Sequence, residues 1–237
     1  MPLPLFRIKI CGVTTPADAA LAAAAGADAV GLNFVPGSPR AIDPVRAREA
    51  RAILPPGVLA VGVFAGMPAR EMLAVARLVG LDAIQLHGHL EGEGPATDPP
   101  ARCHELAPAG LKLIRAVRLE PDGLAGARRW IAAALAGGRG PELVIVDAGV
   151  PRTAAGGALG GTGHRVDWGA LVREPPLPMP IALAGGLTPE NVAAAIQATG
   201  VVAVDTASGV ESAPGRKDPD RVWAFVTAAR AAFAGRG

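Results

Sequence analysis

The residues of this 237-residue chain that could do chemistry gather at one kind of place. Cys11 closes the run RIKIC, in which Arg7, Lys9 and Cys11 alternate with Ile8 and Ile10. Strand geometry puts the first three on one face, which in a barrel is the interior. A free thiol titrates near ~8.5, so it becomes a base only where its surroundings favour the thiolate, and Lys9 stands one layer below it. Other apolar runs carry Gln85 and His87, Arg115, Asp147 and Asp205 at or near their carboxyl ends, and Arg40 follows another. Two further segments, AGGL with Gly185 and Gly186 and TASG with Ser208 and Gly209, offer backbone N–H groups at close range. Such turns hold phosphate, although a glycine pair also serves as an ordinary turn. Together these positions suggest a phosphorylated small-molecule substrate.

Eight apolar strand patterns position these residues: 6–10, 29–34, 59–64, 83–87, 112–117, 143–148, 180–185 and 201–206. A helical pattern follows each. Pro16 and Gly26 bracket one helix, Asp43 caps a second, and Thr188, Pro189 and Gly200 delimit another. Strands alternating with helices imply right-handed βαβ units. Eight units in this length predict a single-domain α/β fold, a (β/α)8 TIM barrel over residues 1–237. A doubly wound sheet is the competitor, but no G-x-G-x-x-G follows the first strand. Barrel active sites lie at the carboxyl ends of the strands, where the polar residues above collect. Two loops are long. Residues 89–100 read as a solvent-exposed excursion ahead of an exposed helix holding Cys103. Residues 149–165, with Gly156, Gly157, Gly160, Gly161 and Gly163, read as a loop closing over substrate.

Composition narrows the class. The formal net charge is +2, and no block of basic residues favours nucleic acid. Two cysteines are too few for a disulfide framework or a cysteine zinc site. The longest apolar stretch is too short to span a bilayer, and residues 1–11 read as no targeting peptide. The expectation is a cytoplasmic enzyme without membrane or nucleic-acid partners.

Seven segments occur in order: KICGVT, GLNFVPGSPR, VGVF, LDAIQLHG, GGTGHRVDW, LAGGLTPENV and DTASGVE…GRKD. Together they closely resemble the phosphoribosylanthranilate isomerase family of tryptophan biosynthesis. The resemblance implies an Amadori rearrangement of N-(5'-phosphoribosyl)anthranilate, without cofactor or metal, by a monomer or homodimer. It implies Cys11 as general base, Asp147 as general acid, and Arg40 on the anthranilate carboxylate. It further implies Gly185, Gly186, Ser208 and Gly209 on the phosphate and Asp205 near the sugar hydroxyls. Gln85 and His87 either line the pocket or tie their strand to its neighbours.

Those roles demand a thiol that is partly ionised and a carboxyl that is protonated. Lys9 favours the first unless an aspartate neutralises it; burial, or Asp205 as a like charge, favours the second. Two departures stand out. Ala207 occupies a place where the family often has serine, and the loop after the fourth strand is long. Other readings stay open: a Schiff-base aldolase through Lys9, a metal-dependent epimerase lacking all but His87, or a non-catalytic phosphate-binding paralogue. Cys11 argues against the analogous histidine-pathway aminoaldose, whose base is usually an aspartate.

Overall fold

The computed structural model describes residues 4–90, 97–148 and 168–235. The glycine-rich loop expected to close over substrate lies outside the described residues, as do residues 91–96 of the 89–100 excursion.

Eight parallel strands close into a barrel in sequence order: β1 (Ile8–Cys11), β2 (Ala29–Asn33), β3 (Leu59–Phe64), β4 (Ala83–Leu86), β5 (Lys112–Arg118), β6 (Leu143–Asp147), β7 (Ile181–Ala184) and β8 (Ala203–Thr206). The helices are α1 (Pro16–Ala25), α2 (Pro44–Ile53), α3 (Ala69–Val79), α4 (Ala101–Glu105), α5 (Ala125–Ala136), α6 (Trp168–Arg173), α7 (Val192–Thr199) and α8 (Pro219–Ala234). The expected caps act at two of the expected sites. Thr15 accepts from Asp18 N ahead of Pro16, and Gly26 ends α1 at φ 95°. Asp43 accepts from Val45 N and Arg46 N at the start of α2. α7 starts later than the sequence suggests. Asn191 Oδ1 accepts from Thr188 N at 2.8 Å and its Nδ2 donates to Gly186 O at 2.9 Å, so residues 188–191 form a turn. Side-chain bonds of this kind compete with the first helical turn.

Two apolar layers result. The outer one lies between strands and helices. The inner one fills the barrel with Phe6, Ile114, Leu143, Ile145, Val61 and a set of alanines that includes Ala29, Ala83, Ala182 and Ala203. Phe6 plugs the amino-terminal end. The small residues leave room for one long side chain, and Lys9 takes it, fully buried.

Three expectations change here. Arg7 does not share the inward face, because β1 begins at Ile8. Its backbone N–H donates to Asp28 at 3.1 Å and its guanidinium lies 5.8 Å from the Phe233 ring of α8, outside the barrel. Arg115 is also outside: Ile114 and Ala116 belong to the inner layer, so alternation turns Arg115 toward α5, where it sits 4.8 Å from the Trp130 ring. Cys103, expected on an exposed helix, is fully buried in the outer layer. The stretch after β4 folds inward at Asp98, whose carboxylate accepts from Gly66 N at 3.1 Å and Gly88 N at 2.7 Å.

Among the described residues, no helix is long and apolar enough to cross a membrane.

Candidate active site

The carboxyl-end rim of the barrel gathers most of the predicted residues. Cys11 ends β1 and pairs in register with Gly31 of β2. A Cβ at Gly31 would lie 2.6 Å from Cys11 Sγ and 3.1 Å from Lys9 Nζ, so only glycine leaves space for both groups. One layer down, Lys9 registers with Asp205 of β8, and the two form a buried ion pair at 3.0 Å. Burial works against the Lys9 charge, but Asp205 and then Cys11 outweigh it and hold its pKa above the ordinary value. Lys9 is therefore an ammonium through the neutral range, poorly suited to Schiff-base chemistry. Burial pushes the Asp205 carboxyl above its usual range, against the pull of Lys9.

Asp147 ends β6, three strands round the barrel from β1. It is half-buried, and its carbonyl accepts from Leu119 N at 2.9 Å. His87, just past β4, donates its backbone N–H to Phe64 O at 2.7 Å. Part of its surface is exposed, while its neighbours desolvate the ring. That desolvation, reinforced by the Lys9 charge, lowers its pKa below the usual histidine value. Gln85 points inward from β4, in register with Ile114 of the inner layer. Its Oε1 is buried without a hydrogen-bond partner among the described residues. An orphaned acceptor costs about 1–3 kcal/mol unless something completes it, which makes this atom a waiting contact for a ligand.

Arg40 lies in the loop after β2, which Asn33 and Ser38 shape: Asn33 Nδ2 donates to Ser38 Oγ at 3.0 Å, and Arg40 N donates to the same oxygen at 3.2 Å. The Arg40 stem crosses Gly12 so closely that a Cβ there would sit 2.5 Å from its Cδ. Hydrogen bonding to Glu211, against the effect of burial, holds the Arg40 pKa above its ordinary value. The guanidinium already holds one carboxylate: Nε donates to Glu211 Oε1 at 2.9 Å and Nη2 to Glu211 Oε2 at 2.7 Å.

The loops after β7 and β8 meet as expected. Gly185 and Gly186 have φ of 90° and 64°, conformations that disfavour side chains. A Cβ at Gly209 would lie 1.8 Å from Leu187 O, and Thr206 Oγ1 donates to that carbonyl at 2.8 Å. The N–H groups of Gly185, Gly186, Ser208 and Gly209 donate no turn, loop or cap hydrogen bond to backbone among the described residues. Backbone N–H groups in turns of this kind are potential anion donors.

The sequence reading missed Glu211 and Lys217, both buried beside Arg40, although GVE…GRKD contains them. It also missed Arg118, which ends β5 on the inward series of Ile114 and Ala116 and registers with Asp147. Simple alternation from Ile114 would have found it. No group of three or more potential metal ligands occurs among the described residues.

Known proteins with this arrangement are similar across the whole fold. The model of the N-(5'-phosphoribosyl)anthranilate (PRA) isomerase family matches residues 8–228. An N-(5'-phosphoribosyl)anthranilate isomerase of Magnetococcus marinus is 42% identical over 232 residues, 98% of this chain and 98% of that protein. The crystal structure of phosphoribosyl anthranilate isomerase from Thermotoga maritima has a TM-score of 0.77 at 34% identity, covering 96% of this chain and 100% of that one. Another crystal structure of such an isomerase, in complex with reduced 1-(o-carboxyphenylamino)-1-deoxyribulose 5-phosphate, has a TM-score of 0.73 at 32% identity, with coverage of 96% and 100%. With rim, registers and sequence in agreement, this chain belongs to the phosphoribosylanthranilate isomerase family.

Proposed function

We infer that this chain converts N-(5'-phosphoribosyl)anthranilate to 1-(2-carboxyphenylamino)-1-deoxyribulose 5-phosphate, an Amadori rearrangement in tryptophan biosynthesis. The observation that carries the assignment of roles is the rim itself. A thiol stands over a buried ammonium on β1, and a carboxyl stands across the mouth on β6.

The substrate has a phosphate at one end and a carboxylate at the other. The backbone N–H groups of Gly185, Gly186, Ser208 and Gly209, at the turns after β7 and β8, support phosphate binding. Arg40 supports carboxylate binding through the guanidinium edge that Glu211 leaves open. Between them, the carboxyl of Asp147 gives a proton to the furanose ring oxygen. The C1'–O bond breaks, and the anthranilate nitrogen lone pair forms a protonated C=N bond. The Cys11 thiolate takes the C2' proton. The C–H electrons become a C1'–C2' double bond, and the C=N electrons return to nitrogen. The enolamine then tautomerises to the ketone. Atoms and electrons are conserved, and a proton returning from Cys11 to Asp147 through solvent resets the site. Lys9 holds its ammonium beside the Cys11 sulfur, and His87, whose pKa is lowered, adds no second positive charge beside Asp147. Gln85 and His87 contact the substrate, and Asp205 serves its hydroxyl groups while holding Lys9. A cytoplasmic location and a monomeric or homodimeric state belong to the same reading.

Purified protein mixed with freshly generated phosphoribosylanthranilate tests the assignment through loss of substrate fluorescence. Wild-type protein turns over, and Asp147→Asn loses activity by about 10²–10⁴-fold, the usual worth of a general acid. Near wild-type turnover by Asp147→Asn contradicts the assignment.

A further inference from the structure

After β8 the chain forms a small antiparallel hairpin, β9 (Glu211–Ala213) and β10 (Arg216–Lys217). Two of its charged residues, Glu211 and Lys217, are turned inward, while Arg216 is exposed. Glu211 and Lys217 are 8% and 4% exposed, at a level where charged side chains are rare unless paired. Glu211 receives two bonds from Arg40 and a third from Lys217 Nζ at 2.8 Å. Lys217 Nζ also donates to Ala207 O at 3.1 Å, the carbonyl just ahead of Ser208 and Gly209. The hairpin turn makes two more contacts: Gly215 O accepts from Thr14 Oγ1 at 2.7 Å, and a Cβ on Gly215 would lie 2.7 Å from Pro39 O. One hairpin thus touches the loops after β1 and β2 and the turn that opens the phosphate cradle.

Charge and geometry give this arrangement a purpose. Two cations, Arg40 and Lys217, share the Glu211 carboxylate, and the Asp18 carboxylate also faces Lys217. A guanidinium has five N–H donors in a rigid plane. Glu211 takes the edge formed by Nε and Nη2, so the edge formed by Nη1 and Nη2 remains for another carboxylate. The Arg40 stem is pinned over Gly12, so Glu211 decides which way that edge faces.

We infer that Glu211 and Lys217 are positioning residues: Glu211 sets the edge of Arg40 offered to the substrate carboxylate, and Lys217 ties that carboxylate clamp to the Ala207 carbonyl at the entrance of the phosphate cradle. The hairpin thereby fixes the spacing between the receptors for the two anionic ends of the substrate. This rests on the substrate reading above, and the experiment separates the two.

Binding is measured by calorimetry for three probes: reduced 1-(o-carboxyphenylamino)-1-deoxyribulose 5-phosphate, its phenylamino counterpart lacking the carboxylate, and inorganic phosphate. In Glu211→Gln the carboxylated probe weakens at least tenfold while the other two change less than twofold. In Lys217→Met all three weaken. Should Glu211→Gln fold poorly, Glu211→Asp keeps the charge but shortens the reach; it retains phosphate binding and loses the preference for the carboxylated probe. Equal weakening of both sugar probes by the folded Glu211 variant, or no weakening of either, overturns the proposal. A wild-type protein with no preference between the two sugar probes instead overturns the substrate reading beneath it.

Discussion

Two cysteines in this chain each stand beside a buried cation paired with an aspartate, and they differ in almost everything else. Cys11 neighbours Lys9, which pairs with Asp205 at 3.0 Å inside the barrel. Cys103 neighbours Arg115, whose guanidinium lies 3.6 Å from Asp98 outside it. The outer pair is structural. Arg115 Nη2 also donates to Gly88 O, 2.6 Å away, and Trp130 Nε1 donates to Asp98 O at 2.8 Å, so the cluster binds the ends of β3 and β4 to α5. Burial pushes the Cys103 thiol up to about 11 despite Arg115, and burial lowers Arg115 to about 10. Cys11, by contrast, is only half-buried at the open rim. A neighbouring cation therefore does not make a thiol reactive. It has to act on a thiol that still meets solvent and substrate.

The largest expected difference is in turnover. Cys11→Ala should lose activity by about 10²–10⁴-fold, the range of a lost general base, while Cys103→Ala stays within twofold in the same fluorescence assay. Comparable losses in both would end the distinction between the two thiols.

Replacing the cations sharpens it. Removing one member of a buried ion pair costs about 3–5 kcal/mol, so Lys9→Met and Arg115→Met both lower the melting temperature. Only Lys9→Met also lowers kcat/KM, because Lys9 Nζ stands beside Cys11 at the rim while Arg115 lies outside the barrel against Trp130. Arg115→Met that is still folded keeps the wild-type kcat/KM.

The smallest effect is on alkaline stability. The folded-state pKa of Cys103, about 11, exceeds its ordinary value of 9.0, so the native state holds the proton longer than the unfolded chain. Its contribution is complete below pH 9 and is lost as pH rises toward 11, amounting to about 2–3 kcal/mol. Arg115 titrates in the same region with the opposite sign, so the wild-type protein must be compared with Cys103→Ala in urea melts at each pH. An unchanged difference between the two proteins from pH 8 to 11 contradicts the burial argument.

The same contrast shows what a sequence carries. The eight strands were legible because apolar runs and helix caps recur with a regular period. Cys11, Asp147 and Asp205 were legible because they end such runs, and the ordered motifs assigned their roles. Arg115 was misplaced by a single step of parity, since its strand reads apolar on both faces. Arg7 was misplaced because the strand starts at Ile8, two residues later than the apolar pattern suggests. Cys103 looked exposed because nothing local reveals that Asp98 folds inward beneath it. The pairing of Arg40 with Glu211 was hidden for a different reason. It joins residues 171 positions apart through strands of two and three residues, too short for any periodic signal.

Alkylation followed in time tests the assignment of Cys11, and not Cys103, as the catalytic base. Native enzyme is treated with iodoacetamide while label position is read by mass spectrometry and activity by substrate fluorescence. Cys11 labelling and loss of turnover are expected to follow one exponential, the reduced product analogue to slow both, and Cys103 to stay unlabelled until the chain is unfolded. Activity that survives full modification of Cys11, or that falls only as Cys103 is labelled, would contradict it.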